Sequence, residues 1–166
     1  MYPVWPVCQA SKLQARLKET CTEDGLDIDA YTLAAALSAA TMAQLNLPPL
    51  IQDYQVIDSA YMEKECRRVR TQGNYREHPS PESVLASFFL HVYHAKADHR
   101  NAAMMHLQES IALARLLRLD DIEADTHSSK YGRDDSLHSN KLLYPLLWVS
   151  ERSLRRHPQQ NHCRVY

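Results

Sequence analysis

The stretch from Ser80 to Asp121 most constrains the fold, because it carries the signals of two consecutive helices. Ser80 supplies a capping hydroxyl, and Pro81 follows at the first helical position, where its missing N–H is harmless. Apolar residues then recur on one helical face, at Val84, Leu85, Phe88, Phe89 and Val92. A polar break at 96–100 precedes a second helix, which runs through Ala102 and Leu116 and ends near 119–121, and which Asp98 is expected to cap. The pattern predicts an antiparallel helical hairpin.

Composition agrees with helices as the main element. Only 3 glycines occur in 166 residues, which favours long helices joined by short loops. The chain is long enough for one domain with a hydrophobic core, and its 45% hydrophobic and 23% charged residues are typical of a globular protein. A formal net charge of −1 gives no general attraction to nucleic acid. We therefore predict an all-α domain built from antiparallel helical hairpins.

Four further helices are predicted, at Ser11–Thr20, Ala30–Asn46, Asp53–Thr71 and Lys141–Arg156. In the last of them Pro145 should mark a kink or a start. The second is rich in alanine, should begin at Asp29 as its cap, and is expected near the middle of the fold. Its apolar face comprises Leu33, Leu37, Ala40, Met42 and Leu45.

The predicted helix Asp53–Thr71 has an apolar and a charged side. The apolar side comprises Tyr54, Ile57, Tyr61, Met62, Cys66 and Val69. The charged side, assigned to solvent, comprises Glu63, Lys64, Glu65, Arg67, Arg68 and Arg70. Because a charged helix face is ordinarily solvated, the arginine cluster 67–70 does not indicate a nucleic-acid surface.

Three segments are predicted to be non-helical. Prolines at 3 and 6 favour an extended segment over 1–7. The polar stretch 122–140 is expected to form a long mobile loop, and 159–166 a disordered tail.

Cysteine spacing and hydropathy indicate a soluble, intracellular protein. Cys8, Cys21, Cys66 and Cys163 show no C-x-x-C spacing. Three of them fall in or beside helical patterns, where a buried free thiol is expected, and this indicates a reducing compartment. The apolar patch 4–7 is too short for a signal peptide. No apolar run approaches the roughly 20 residues of a transmembrane helix.

Few residues suggest a chemical site. His91 and His94, and also His106 and Glu109, lie three apart and could share a helix face, but neither pair has the further ligands that zinc requires. The adjacent carboxylates at 120–121 and 134–135 diverge by about 100° on a helix and do not form an acid–base pair. No phosphate-binding loop or nucleophile elbow occurs. We therefore assign no catalytic, metal, cofactor-binding or DNA-binding residue, and expect neither enzyme activity nor a cofactor.

Four stretches follow one another along the chain: YPVWPV at 2–7, YTLAAALSAATMAQL at 31–45, SVLASFFLHVY at 83–93 with its partner helix 105–120, and LLWVSER at 146–152. Together they resemble the regulatory, or middle homology, domain of fungal zinc-cluster transcription factors. The resemblance is closest to regulators of sugar and polysaccharide utilisation. It assigns 1–158 to a partial domain of this kind, cut at both ends and lacking the six-cysteine DNA-binding head.

The resemblance implies a transcription-factor-like protein in metabolic or biosynthetic gene regulation, located in the nucleus or alternatively the cytoplasm. Without its own DNA-binding domain it would act through protein contacts, with a full-length transcription factor or a second copy of itself. It implies neither direct DNA binding nor a membrane.

Two alternatives remain open from the residues alone. The first is an α-helical, repeat-like scaffold for protein interactions, although no clear repeat period is present. The second is a small helical enzyme. A partial regulatory domain should leave apolar faces uncovered and self-associate, whereas a complete scaffold should be a monomer with polar outer faces.

Overall fold

The protein is described by a computed structural model that covers residues 8, 10–20, 27–119, 143 and 145–152. Five helices lie within these ranges: α1 Ala10–Thr20, α2 Ile28–Leu45, α3 Ser59–Arg70, α4 Pro81–Lys96 and α5 Arg100–Leu116. Residues 143 and 145–152 are also helical. One antiparallel hairpin joins α2 to α3, with strands β1 Leu50–Gln52 and β2 Gln55–Ile57. The predicted all-α fold is confirmed, with this short hairpin as its one addition among the described residues.

The predictions for 1–7, 122–140 and 159–166 lie outside the described residues. The predicted last helix is confirmed over 145–152, while the kink or start at Pro145 stays a prediction because it adjoins undescribed positions. The described part of this helix belongs to the fold, since Leu143 and Leu147 are both buried in the main hydrophobic core.

Helix α4 forms the centre of the bundle. It packs against α5 on one side and against α2 on the other, and α2 in turn contacts α1 and α3. Every residue from Ser83 to His94 is buried, so α4 has no face in water. A helix that is apolar nearly all round requires such a central position. Four alanines of α2 are fully buried, and their small side chains let neighbouring helices approach closely: Ala30, Ala36, Ala39 and Ala40.

The start of α4 is confirmed, while two other predicted caps are wrong. The Ser80 side chain accepts from the Ser83 amide, and the Ser83 hydroxyl accepts from the Ser80 amide, which forms a reciprocal capping box. Asp27 rather than Asp29 caps α2, and its carboxylate accepts from the Ala30 amide at 2.9 Å. Arg16 of α1 also binds this carboxylate, a tertiary contact that local sequence does not reveal.

The predicted cap of α5 fails for a conformational reason. Asp98 has φ 57, in the left-handed region, whereas an N-cap residue needs an extended backbone. His99 occupies the cap position instead and makes no capping hydrogen bond through its side chain.

The predicted helix Asp53–Thr71 is wrong in its first part. Asp53 and Tyr54 have φ 48 and φ 64, a left-handed pair that turns the chain between β1 and β2 and cannot continue a helix. Helix α3 begins only at Ser59, where the Asp58 carboxylate accepts from the Tyr61 amide at 2.7 Å. Tyr54, predicted on an apolar helix face, is fully exposed at the turn.

Candidate functional site

Arg70 lies inside the bundle, although its charge predicted a place in solvent. Its side chain is 6% exposed. Nη1 donates to the Glu109 carboxylate at 3.1 Å, while Nη2 donates to the Ser83 carbonyl and to the Ser87 hydroxyl. The guanidinium also stacks on Tyr75, 3.9 Å from the ring centre. One arginine thereby ties α3 to α4, α5 and the loop after α3.

Glu109 is the acceptor at the centre of this network. Besides Arg70 it accepts from the Tyr75 hydroxyl at 2.8 Å and from Arg76 at 3.2 Å, and His106 Nδ1 lies 3.7 Å away. Burial acts to raise the pKa of Glu109, but the contact with His106, the charge of Arg70 and the hydrogen bonds from Tyr75 and Arg76 outweigh it. The net effect holds this pKa far below its usual range, so the carboxylate is ionised at neutral pH.

A second cluster surrounds His94, next to the first. His94 Nε2 lies 3.3 Å from the Glu63 carboxylate, and its Nδ1 lies 3.4 Å from Nδ1 of His99. Its ring stacks parallel to that of His106 at 5.2 Å. Glu63 is buried and pairs with Arg67 at 2.6 Å, so its predicted place in solvent is wrong, whereas Lys64, Arg67 and Arg68 are exposed as predicted.

The two pairs proposed from spacing have different outcomes. His91 and His94 are not brought to one site, because His91 Nδ1 binds the Ala103 carbonyl at 3.0 Å while His94 joins the cluster described above. His106 and Glu109 do face each other. Within the part of the chain that the structure describes, no group of three or more His, Cys, Asp or Glu residues is arranged to hold a metal ion.

His91 should make stability depend on pH. Burial lowers its pKa in the folded protein, against the opposing hydrogen bond to Ala103, so the unfolded chain binds a proton more readily. This contribution is complete above the unfolded value of about 6.5 and is lost as pH falls below it. We expect the urea midpoint to decrease between pH 7.5 and 5.5, and to decrease less in His91→Gln, which keeps an N–H donor but does not titrate. An equal decrease in the two proteins would contradict this role for His91.

A small cavity adjoins the Arg70 network. Its volume is about 10 Å³, and residues of α2, α3, α4 and the loop after α3 line it, among them Thr32, Arg70 and Ser83. Thr32 Oγ1 and Arg70 Nε are buried and have no hydrogen-bond partner among the described residues. Two residues that line the cavity thus each have one buried polar atom without a partner in the described part of the chain.

A wider cleft opens beside this cavity. Its volume is about 320 Å³, and its polar lining comes from Asp27, Asp29, Asn74, Tyr75 and His78. Cleft and cavity share part of their lining, namely Ile28, Asp29, Gly73 and Tyr75. The cavity therefore adjoins the cleft.

The β-hairpin carries an exposed apolar surface. We name as the hairpin patch six exposed apolar residues: Leu45, Leu47, Leu50, Ile51, Tyr54 and Val56. Ile51 and Val56 are paired across the strands and are 80% and 53% exposed. Leu45 was predicted on the buried face of its helix and is instead 51% exposed, at the last residue of α2. Sequence reasoning missed this surface because strands of three residues show no alternating pattern.

Among the described residues, no helix has the length and apolar character needed to span a membrane. The described cysteines, Cys8 and Cys66, are free thiols as predicted. Burial raises the pKa of Cys66 to about 12, which makes this thiol unreactive.

The geometry thus defines an α-helical bundle with a buried ion network, a polar cleft and an exposed apolar hairpin. The chain is similar to the probable sucrose utilization protein SUC1 of Candida albicans, with 32% identity over 157 residues that cover 91% of the chain. It spans 29% of the length of that relative. No family model matches the chain, and no solved structure matches it. The name of the relative agrees with the sugar-utilisation character of the resemblance drawn from the sequence.

Proposed function

We propose that this chain is a regulatory module of the transcription-factor type that controls sugar-utilisation genes through protein contacts. The observation that carries the proposal is the similarity over 91% of the chain to a sucrose utilization protein. The role in transcription is supported by the resemblance of the four ordered stretches to a fungal regulatory domain. On this proposal the module works in the nucleus.

The hairpin patch supports contact with another protein. Ile51 and Tyr54 are 80% and 104% exposed, and large apolar side chains grouped on a surface favour protein association. Among the residues that the structure describes, the two strands pair only with each other, so each has an edge available for a further strand. The partner on this proposal is a full-length regulator or a second copy of the chain.

The charges argue against direct DNA binding by this module. Three arginines of the 67–70 cluster are each paired with a carboxylate: Arg67 with Glu63, Arg68 with Glu65 and Arg70 with Glu109. Phosphate contacts require cationic side chains that are free to release counterions. Because these pairs already neutralise the cluster, it does not offer a phosphate-binding surface.

A chimera tests this function. The segment of the Candida relative that aligns with this chain is replaced by the chain, in a strain that lacks the relative, and growth on sucrose is measured. We expect growth with the chimera, and at least tenfold slower growth when Ile51 and Val56 are both changed to serine, because the hairpin patch then loses its apolar contacts. The matched control, Met105→Ser with Leu116→Ser, changes two apolar residues that are 73% and 67% exposed elsewhere and should grow normally.

A strain whose relative carries a scrambled segment gives the reference for lost function. Growth of the chimera no better than this reference would contradict the proposed function. Equal growth of the hairpin and control variants would contradict the role of the hairpin patch.

A helical scaffold is the second candidate, favoured by the packing of α2 with α3 and of α4 with α5 as neighbouring helix pairs. The same chimera separates the two functions, since a generic scaffold should not raise growth on sucrose above that of the strain with the scrambled segment.

A further inference from the structure

The cleft and its inner cavity combine the features of a small-molecule site. Two polar side chains, Thr32 and Arg70, are 4% and 5% exposed and line the cavity. Within the described part of the chain, neither Thr32 Oγ1 nor Arg70 Nε has a hydrogen-bond partner. Leaving a buried donor or acceptor unpaired is unfavourable, so these atoms favour a ligand that can reach them. The adjoining cleft of about 320 Å³ is within the range of small-molecule sites, which begins at roughly 300 Å³.

We propose that this cleft binds a neutral small molecule rich in hydroxyl groups, with one hydroxyl oxygen placed in the inner cavity between Arg70 Nε and Thr32 Oγ1. The cavity volume of about 10 Å³ accommodates a single oxygen and nothing larger. A hydroxyl oxygen accepts from the Arg70 Nε–H and exchanges a hydrogen bond with the Thr32 hydroxyl, so it pairs both atoms at once.

Charge selects a neutral ligand. Asp27 and Asp29 line the cleft, and the pKa of Asp27 is lowered because the Ala30 amide and Arg16 outweigh the effect of burial, so this carboxylate is ionised. Asp27 is paired with Arg16, and Arg70 with Glu109, so neither residue offers a free counter-charge to an ionic ligand. A hydroxyl needs none, because it donates to an oxygen acceptor and accepts from an N–H.

The remaining lining suits a ligand with several hydroxyls. The cleft carries the amide of Asn74 and the ring of His78, and each of these side chains offers hydrogen bonds at the rim. The Tyr75 ring is held in place between Arg70 and the Glu109 carboxylate, so this wall is preorganised. The site depends on these contacts alone and would exist whether or not the chain regulates transcription.

Titration of the full chain, labelled with ¹⁵N, tests the site with three probes of similar size: glucose, gluconate and glucosamine. The Arg70 Nε–H and the Gly73 amide report on the cavity and on the shared wall. We expect saturable shifts of both resonances with glucose, and at least fivefold weaker binding of the anionic and cationic analogues. Sucrose, as a larger neutral probe, should shift the same resonances.

Substitutions locate the ligand. Thr32→Val keeps the side-chain shape but removes the hydroxyl, and should weaken glucose binding roughly fivefold. Thr41→Val makes the same change further along α2, outside the cavity lining, and should leave binding unchanged. Gly73→Ala provides a second variant, since its Cβ would come within 3.1 Å of Ile28 Cγ2 at the shared wall and should weaken binding too.

Three results would overturn the proposal: no saturable shift with glucose or sucrose, equal binding of the charged analogues, or unchanged affinity in both Thr32→Val and Gly73→Ala. A failed titration together with growth of the sucrose chimera would reject this site and leave the regulatory function in place. Saturable binding of glucose without growth of the chimera would support this site and reject the regulatory function.

Discussion

Replacing Phe89 with alanine is expected to destabilise the protein by about 4 kcal/mol, the usual range for a buried phenylalanine being roughly 3–5 kcal/mol. Phe89 is fully buried in α4, and its ring packs edge-on against Phe88 at 5.7 Å. Helix α4 is surrounded on all sides, so neighbouring side chains have little freedom to fill the space that the ring leaves. Such a loss is a large part of the total free energy of unfolding of a domain, which is typically about 5–15 kcal/mol.

Urea unfolding followed by far-ultraviolet circular dichroism measures this effect. Met105→Ala is the matched control, because Met105 is 73% exposed on α5 and its truncation should change stability by about 0.5 kcal/mol or less. If Phe89→Ala were as mild as this control, α4 could not be the central helix.

Sequence reasoning succeeded where the signals are local. The hairpin of α4 and α5 was predicted because a capping serine, a proline and an apolar period all lie within the helix that they specify. The same holds for α1 and for most of α2. These features depend on neighbours a few residues away, so no knowledge of the fold is needed to interpret them.

Sequence reasoning failed where the contact that buries a residue is made with a residue distant in sequence. Glu63 and Arg70 were assigned to solvent because charged residues are rarely buried without partners. Each has a partner on another helix that the local sequence does not reveal: His94 for Glu63, and Glu109, 39 residues further on, for Arg70. A signal was available, since Glu63, Cys66 and Arg70 follow helical spacing and share the buried face of α3.

The cleft could not be predicted at all. Its lining comes from the start of α2 and the loop after α3, two segments separated by more than a helix and a hairpin. No motif links Asp29 with His78, and only the tertiary packing places them on one cleft. The β-hairpin was missed for a related reason, because its turn lacks the glycine that usually marks such turns.

Glu109→Gln is expected to destabilise the protein by about 3 kcal/mol at pH 7, the lower end of the roughly 3–5 kcal/mol for removing one partner of a buried ion pair. Glutamine keeps the shape of the side chain but leaves the Arg70 guanidinium buried without its counter-charge. The lower end applies because Glu109 is itself 20% exposed, so solvent screens part of the interaction. Asp98→Asn, in the exposed pair with Arg100, is the matched control and should change stability by about 0.5 kcal/mol or less.

The pH dependence identifies the carboxylate charge as the cause. Because the folded-state pKa of Glu109 is depressed, its contribution is present above the unfolded value of about 4.3 and is lost as pH falls below it. The difference in urea midpoint between wild type and Glu109→Gln should therefore be largest near neutral pH and shrink below about pH 4. Adding Arg70→Met to Glu109→Gln should recover part of the loss, since the unpaired charge is then removed. A difference that stays constant with pH, or a double variant that loses the full sum of both single effects, would show that the two residues stabilise the bundle independently rather than as a pair.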